Sequence, residues 1–171
     1  MANTYTLIQS VTVGSGGTTA IQFSSIPQTY TDLQVVLSLR DTTSAVSVIS
    51  QFTVNAISSG YSFTRLRGDG STVDSYAESA QGAINLYNTS VGASATASVF
   101  SNYQIYIPNY SGATNKSFSI DSVTENNATN AFQVLFAGLL SNTAAITSLT
   151  FTANTLYSQY SSASLYGIKN S

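Results

Sequence analysis

Acid–base chemistry in this chain would fall to seven carboxylates: Asp32, Asp41, Asp69, Asp74, Glu78, Asp121 and Glu125. Two carboxylates about 5–10 Å apart across a sugar can hydrolyse a glycoside. Asp69/Asp74/Glu78 and Asp121/Glu125 are the groupings close enough in sequence to supply such a pair. Their plainer reading is solvated loop carboxylates. A calcium role would need about six to eight oxygens converging from loops, and Asp69-Gly70-Ser71-Thr72-Val73-Asp74 does not match the EF-hand loop. The chain has no histidine and no cysteine. That removes Ser-His-Asp triads, thiolate nucleophiles, and histidine or thiolate metal sites. The expectation is a protein that is not an enzyme, with no catalytic, cofactor-binding or metal-ligating residue and no cofactor.

Three further patterns have structural readings beside the functional ones. Arg67-Gly68-Asp69 spells an integrin-type tripeptide, but Gly68-Asp69-Gly70 is also turn chemistry, since Gly and Asp tolerate positive φ. Asn88-Thr89-Ser90, Asn109-Tyr110-Ser111, Asn115-Lys116-Ser117 and Asn127-Ala128-Thr129 are glycosylation triplets. With 13 asparagines, 29 serines and 22 threonines, about four triplets arise by chance, so they carry no information. The 11 tyrosines are more suggestive, among them Tyr61, Tyr76, Tyr87, Tyr103, Tyr106, Tyr110, Tyr157, Tyr160 and Tyr166. A tyrosine joins an apolar ring to a polar tip. It suits a protein interface, stacking on a sugar, or packing in a half-buried strand.

The charge balance narrows the partners. Arg40, Arg65, Arg67, Lys116 and Lys169 are the five basic residues, and the net charge is −2. They cannot build the basic face that nucleic-acid binding needs. No apolar run approaches the ~18 residues of a membrane span. The first ten residues lack the basic and apolar regions of a secretory signal. With 7% charged residues, solubility must come from hydroxyls and amides.

The elements that would position these groups are strands. Tyr5, Leu7, Val11 and Val13 fall on odd positions. Leu33, Val35, Leu37 and Leu39 alternate with Gln34, Val36, Ser38 and Arg40. Val99, Tyr103, Ile105 and Ile107 continue the pattern, as do Phe132, Val134 and Phe136. Such alternation turns one set of side chains to a core and the other to water. Turn signals recur at Gly14-Ser15-Gly16-Gly17, Ser59-Gly60, Gly68-Asp69-Gly70 and Pro108-Asn109. The pattern predicts one all-β domain over residues 1–171, an antiparallel β-sandwich of jelly-roll type with about ten strands. Ser75–Gln81 is the one segment that could form a short helix, its alternative being an irregular loop.

Four stretches carry a resemblance. They are Ser24-Ser25-Ile26-Pro27-Gln28-Thr29-Tyr30-Thr31-Asp32-Leu33, Tyr106-Ile107-Pro108-Asn109-Tyr110, Ser119–Thr129, and Ser164-Leu165-Tyr166-Gly167-Ile168. Together the chain resembles small virion structural proteins of tailed phages of aquatic bacteria, cyanophages among them. These include head decoration (cement) proteins, head fibres and tail-fibre modules. The resemblance implies a capsid decoration protein on the outside of the head. It would be a homo-oligomer, a trimer by that likeness, bound to the major capsid protein. It would fold in the host cytoplasm and reside in the virion. The alternative is a carbohydrate- or receptor-binding module of a fibre or tail, with a host-surface glycan as partner. Neither reading involves nucleic acid or a membrane.

Overall fold

The computed structural model describes residues 4–125 and 131–169. Twelve strands follow one another, and no helix occurs among the described residues. They are β1 (Thr4–Thr12), β2 (Thr18–Phe23), β3 (Asp32–Leu39), β4 (Ser47–Val54), β5 (Tyr61–Gly68) and β6 (Val73–Gln81). The rest are β7 (Ile84–Val91), β8 (Ser101–Ile107), β9 (Lys116–Thr124), β10 (Phe132–Leu140), β11 (Leu149–Tyr157) and β12 (Ser162–Lys169). An eight-stranded sheet has the order β1-β12-β3-β8-β9-β10-β5-β6, and a four-stranded sheet has the order β2-β11-β4-β7. Neighbouring strands in both sheets run antiparallel. The all-β, antiparallel, two-sheet expectation therefore holds, with twelve strands in place of about ten.

The core lies between the sheets. Leu33, Val35, Leu37 and Leu39 of β3 are buried, as are Tyr103, Ile105 and Ile107 of β8. From the smaller sheet come Ile21, Phe23, Phe52 and Phe151, with Phe52 and Phe151 stacked at 5.1 Å. A buried hydroxyl chain crosses this core. Ser50 Oγ lies 2.7 Å from Ser90 Oγ, which lies 2.5 Å from the Tyr103 hydroxyl, and Tyr103 donates to Thr89 Oγ1. Pairing spares these hydroxyls the cost of an unmade bond in a dry interior, about 1–3 kcal/mol, which the buried, unpartnered Tyr157 hydroxyl bears.

Three expectations need correction. Ser75–Gln81 is neither helix nor irregular loop but part of β6. The turn at Asp69–Thr72 sets it antiparallel to β5, with Arg65 opposite Tyr76 and Arg67 opposite Asp74. This pairing outweighs the weak helical preference of its Ala, Glu and Gln. Tyr5 and Leu7 do not share a face with Val11 and Val13. A bulge at Ile8 shifts the register, so Tyr5 and Leu7 are exposed while Ile8 and Val11 pack on the core. Val99 precedes β8 and is only partly buried.

Three of the four stretches that carry the resemblance meet at one end of the sandwich. The Tyr110 hydroxyl donates to the Pro27 carbonyl and accepts from the Tyr30 amide. Asp32 accepts from the Tyr106 hydroxyl and the Asn109 amide. The Thr31 amide donates to the Ile168 carbonyl. A Cβ on Gly167 would lie 2.4 Å from the ring of Tyr30, so only glycine lets that ring close over β12. Residues 126–130 of the third stretch lie outside the described residues, and with them the Asn127-Ala128-Thr129 triplet.

Candidate binding surfaces

The tyrosines divide into three groups. Tyr61, Tyr103, Tyr110 and Tyr157 are buried in the core. Tyr30, Tyr87 and Tyr166 are half-buried, and Tyr5, Tyr76, Tyr106 and Tyr160 are exposed. Burial pushes the Tyr61, Tyr103 and Tyr157 phenols above their ordinary value, because the charged phenolate is the form that a dry core disfavours.

The carboxylates are held at separate places, save that Asp69 and Glu125 both line one hollow beside the β5–β6 turn. Asp41 is fully buried and accepts from the amides of Thr43, Asn154 and Thr155. Asp69 accepts from the amides and hydroxyls of Ser71 and Thr72, and the Thr72 and Ser71 amides hold it well below the usual carboxylate range. It therefore acts as the turn residue of the β5–β6 hairpin, with Gly70 at φ +88° beside it. Asp74 and Glu78 are four residues apart on β6, and Asp121 and Glu125 are four apart from β9 onward. At ~3.3 Å per residue each pair spans roughly 13 Å along the chain, beyond the ~5–10 Å of a glycosidase pair. Asp32 and Asp41 are bound at separate places. Among the described residues no group of three His, Cys, Asp or Glu is placed to hold a metal ion.

Asp74 and Glu78 instead build a cation-aromatic cluster where β6 overhangs β7. Asp74 pairs with Arg65 at 3.0 Å and also with Arg67. The Arg65 guanidinium lies 5.6 Å from the Tyr76 ring centre and 5.9 Å from that of Tyr87. Glu78 accepts from the hydroxyls of Tyr76 and Tyr87 and from Asn85 Nδ2. Partial desolvation would raise Glu78, but these three donors and Arg65 outweigh it and hold the carboxyl below its ordinary value.

Two surfaces remain open. The first is the outer face of the eight-stranded sheet. Strand parity places Tyr5, Leu7, Val36, Leu66, Val73, Tyr106, Leu135 and Leu139 on it. These are eight of the ten exposed large apolar side chains, the others being Tyr76 and Tyr160. Leu66 and Leu135 are direct cross-strand partners. Asp121, opposite Leu135 and Gln104, brings an exposed charge into this face. Seven inter-strand steps of ~4.8 Å and strands of about eight residues make the face roughly 900 Å².

The second surface is a hollow on the outward side of the four-stranded sheet, over the middle of β4. The β4–β7 register slips between Val48 and Ser50, where Tyr87–Thr89 loop out of the ladder with Asn88 at φ +57°. On the other side β11 leaves β4 after the Thr152–Gln51 pair. Both neighbours of β4 thus part from it at one level. The space is lined by Ile49, Gln51, Asn85, Tyr87, Ala153 and Asn154. Sequence reasoning named Tyr87 but missed the hollow. Register slips leave no mark in period-two alternation. The sequence signal nearest to it is Tyr87-Asn88 at a turn-like dipeptide inside an apolar run.

No family model, curated protein or solved structure matches this chain.

Proposed function

We propose that this chain is a virion structural protein, a decoration (cement) protein bound to the outside of a phage head. The observation that carries the proposal is the outer face of the eight-stranded sheet. The face sets eight exposed large apolar side chains among hydroxyls and amides with little charge, the mixed character of a protein–protein interface. Its size matches the ~800 Å² that each partner contributes to a standard interface. With so little charge, contact through it would depend weakly on salt. The trimer and the major capsid protein as partner belong to the same proposal and rest on the resemblance. So does the jelly-roll type, which the nested orders β1-β12-β3-β8 and β2-β11-β4-β7 support. In that arrangement β5–β6 and β9–β10 are hairpins that widen one sheet.

The test is particle stability. Particles carrying the chain should survive heating better than particles stripped of it. Adding back the Leu135→Asp variant should fail to restore the difference, since this exposed position can take a charge without disturbing the core. Equal survival of decorated and stripped particles would remove the decoration reading. The other reading, a glycan-binding module of a fibre or tail, draws on the hollow over β4.

A further inference from the structure

We propose that the hollow over β4 is a binding site for one neutral pyranose sugar. The assignment rests on the hollow alone and not on the decoration reading.

The lining has the two halves that a sugar ring requires. Ile49, Ala153 and the ring of Tyr87 give apolar surface for the C–H face of a pyranose. Gln51, Asn85 and Asn154 give amides, which both donate and accept and so match hydroxyls that do the same. None of the six carries a charge. Two carboxylates lie beside it: Glu78, held against Asn85 and Tyr87, and the buried Asp41, held against the Asn154 amide. Negative charge beside the site disfavours phosphate, nucleotide and sugar acid, and the nearby cation, Arg65 at 5.9 Å from the Tyr87 ring centre, is already paired with Asp74.

The polar groups are also fixed in direction. Gln51 Nε2 donates to Asn85 Oδ1 at 3.1 Å, and Asn85 Nδ2 donates to Glu78 Oε2 at 3.3 Å. The Tyr87 hydroxyl donates to Glu78 Oε1 at 2.8 Å, and Tyr76 donates to the same oxygen. Across the hollow, Asn154 Nδ2 donates to Thr43 Oγ1, and its backbone amide donates to Asp41. These relays use one N–H of each amide and leave the Gln51 and Asn154 side-chain oxygens as acceptors, with no protein donor to either among the described residues. Two acceptors held across an apolar floor are arranged for a ligand that brings its own hydroxyl donors. The volume, about 290 Å³, lies at the lower end of ligand pockets, which start near 300 Å³. That admits one ring and excludes deep enclosure of a chain, so the expected affinity is weak for a single site.

The experiment is an amide and side-chain NMR titration of the full chain with D-glucose, D-galactose, D-mannose and N-acetyl-D-glucosamine. Inorganic phosphate serves as the charged control. At least one sugar should shift signals of Gln51, Asn85, Tyr87 and Asn154 and leave the outer face of the eight-stranded sheet unmoved. Gln51→Ala, at an exposed position, should keep the fold and weaken that sugar about tenfold, the value of one hydrogen bond. Asn154→Ala should act likewise from the opposite rim. No response at the hollow to any of the four sugars overturns the proposal, as does a response to phosphate alone. An affinity unchanged in both variants overturns it too. Gln51→Ala leaves the eight-stranded face untouched, so loss of sugar binding and loss of capsid binding are separately readable.

Discussion

Replacing Gly167 by alanine tests whether the end of the sandwich is held by the closure of Tyr30 over β12. A Cβ there would sit 2.4, 2.5 and 2.6 Å from three carbons of the Tyr30 ring. Carbon contacts settle near 3.5–4.0 Å, so the ring must retreat by about 1 Å. It has little freedom to do so. The Tyr30 amide is tied to the Tyr110 hydroxyl, and the next amide, of Thr31, is tied to the Ile168 carbonyl beside Gly167. Overpacking of this kind costs about 1–3 kcal/mol. Alanine also stiffens the unfolded chain, which returns about 0.4–1 kcal/mol. The net loss is about 0–2.6 kcal/mol, a fall in Tm of up to roughly 10 °C for a domain of this size. Urea unfolding followed by circular dichroism measures it. The decisive control is a double-mutant cycle with Tyr30→Ala. Once the ring is gone, Gly167→Ala should cost less than about 0.5 kcal/mol or stabilise slightly. Equal losses from Gly167→Ala in both backgrounds would refute the steric account.

Leu37→Ala removes a fully buried side chain between β12 and β8 and should cost about 2–5 kcal/mol in the same urea assay. On the acid side, Asp69 and Glu78 titrate below their ordinary values when folded. Their contribution is therefore present above the unfolded value near pH 4 and is lost as pH falls through the lower folded values. Tm should drop from pH 5 to pH 2, and Asp69→Asn should flatten part of that drop. On the alkaline side, Tyr61, Tyr103 and Tyr157 are raised, so their contribution is present below pH ~10 and is lost as pH rises beyond it. Ultraviolet titration should show Tyr61, Tyr103 and Tyr157 ionising only as the chain unfolds.

The legible parts of the sequence are those where pairing is regular. β3 and β8 alternate without interruption, so Leu33, Val35, Leu37 and Leu39 are read correctly as core and their intervening residues as surface. The outer face of the larger sheet is legible by the same parity, since Gln34, Val36 and Tyr106 are the complements of buried positions. β1 is misread because one extra residue at Ile8 exchanges its two faces, and a period of two cannot report an insertion. β6 is misread because its inward residues, Asp74, Tyr76 and Glu78, are polar. They face Arg67, Arg65 and Tyr87 at an overhang, where the usual contrast of apolar inside and polar outside disappears. The hollow arises where a register slip in the β4–β7 ladder and the end of the β11–β4 ladder fall at one level of β4, a coincidence that exists only after folding.

The edges of the sheets bear on how such a chain can associate. An unpaired edge strand invites another strand, and natural sheets blunt it with bulges or shortness. Here the four edges are β1 and β6 in the larger sheet and β2 and β7 in the smaller. β1 is broken at Ile8, β6 carries an extra residue near Ala80 at φ +55°, and β7 loops out at Tyr87–Thr89. β2 has six residues. A second chain adding to any of these would meet a ladder that is irregular or short, so strand addition is disfavoured on every side. The outer face of the larger sheet has no such interruption through its central strands β3, β8, β9 and β10, whose ladders run in register. Under the proposed decoration role, blunted edges would direct association onto this weakly charged face. There, contact is set by the shape of leucine, valine and tyrosine side chains and not by the open hydrogen bonds of a strand.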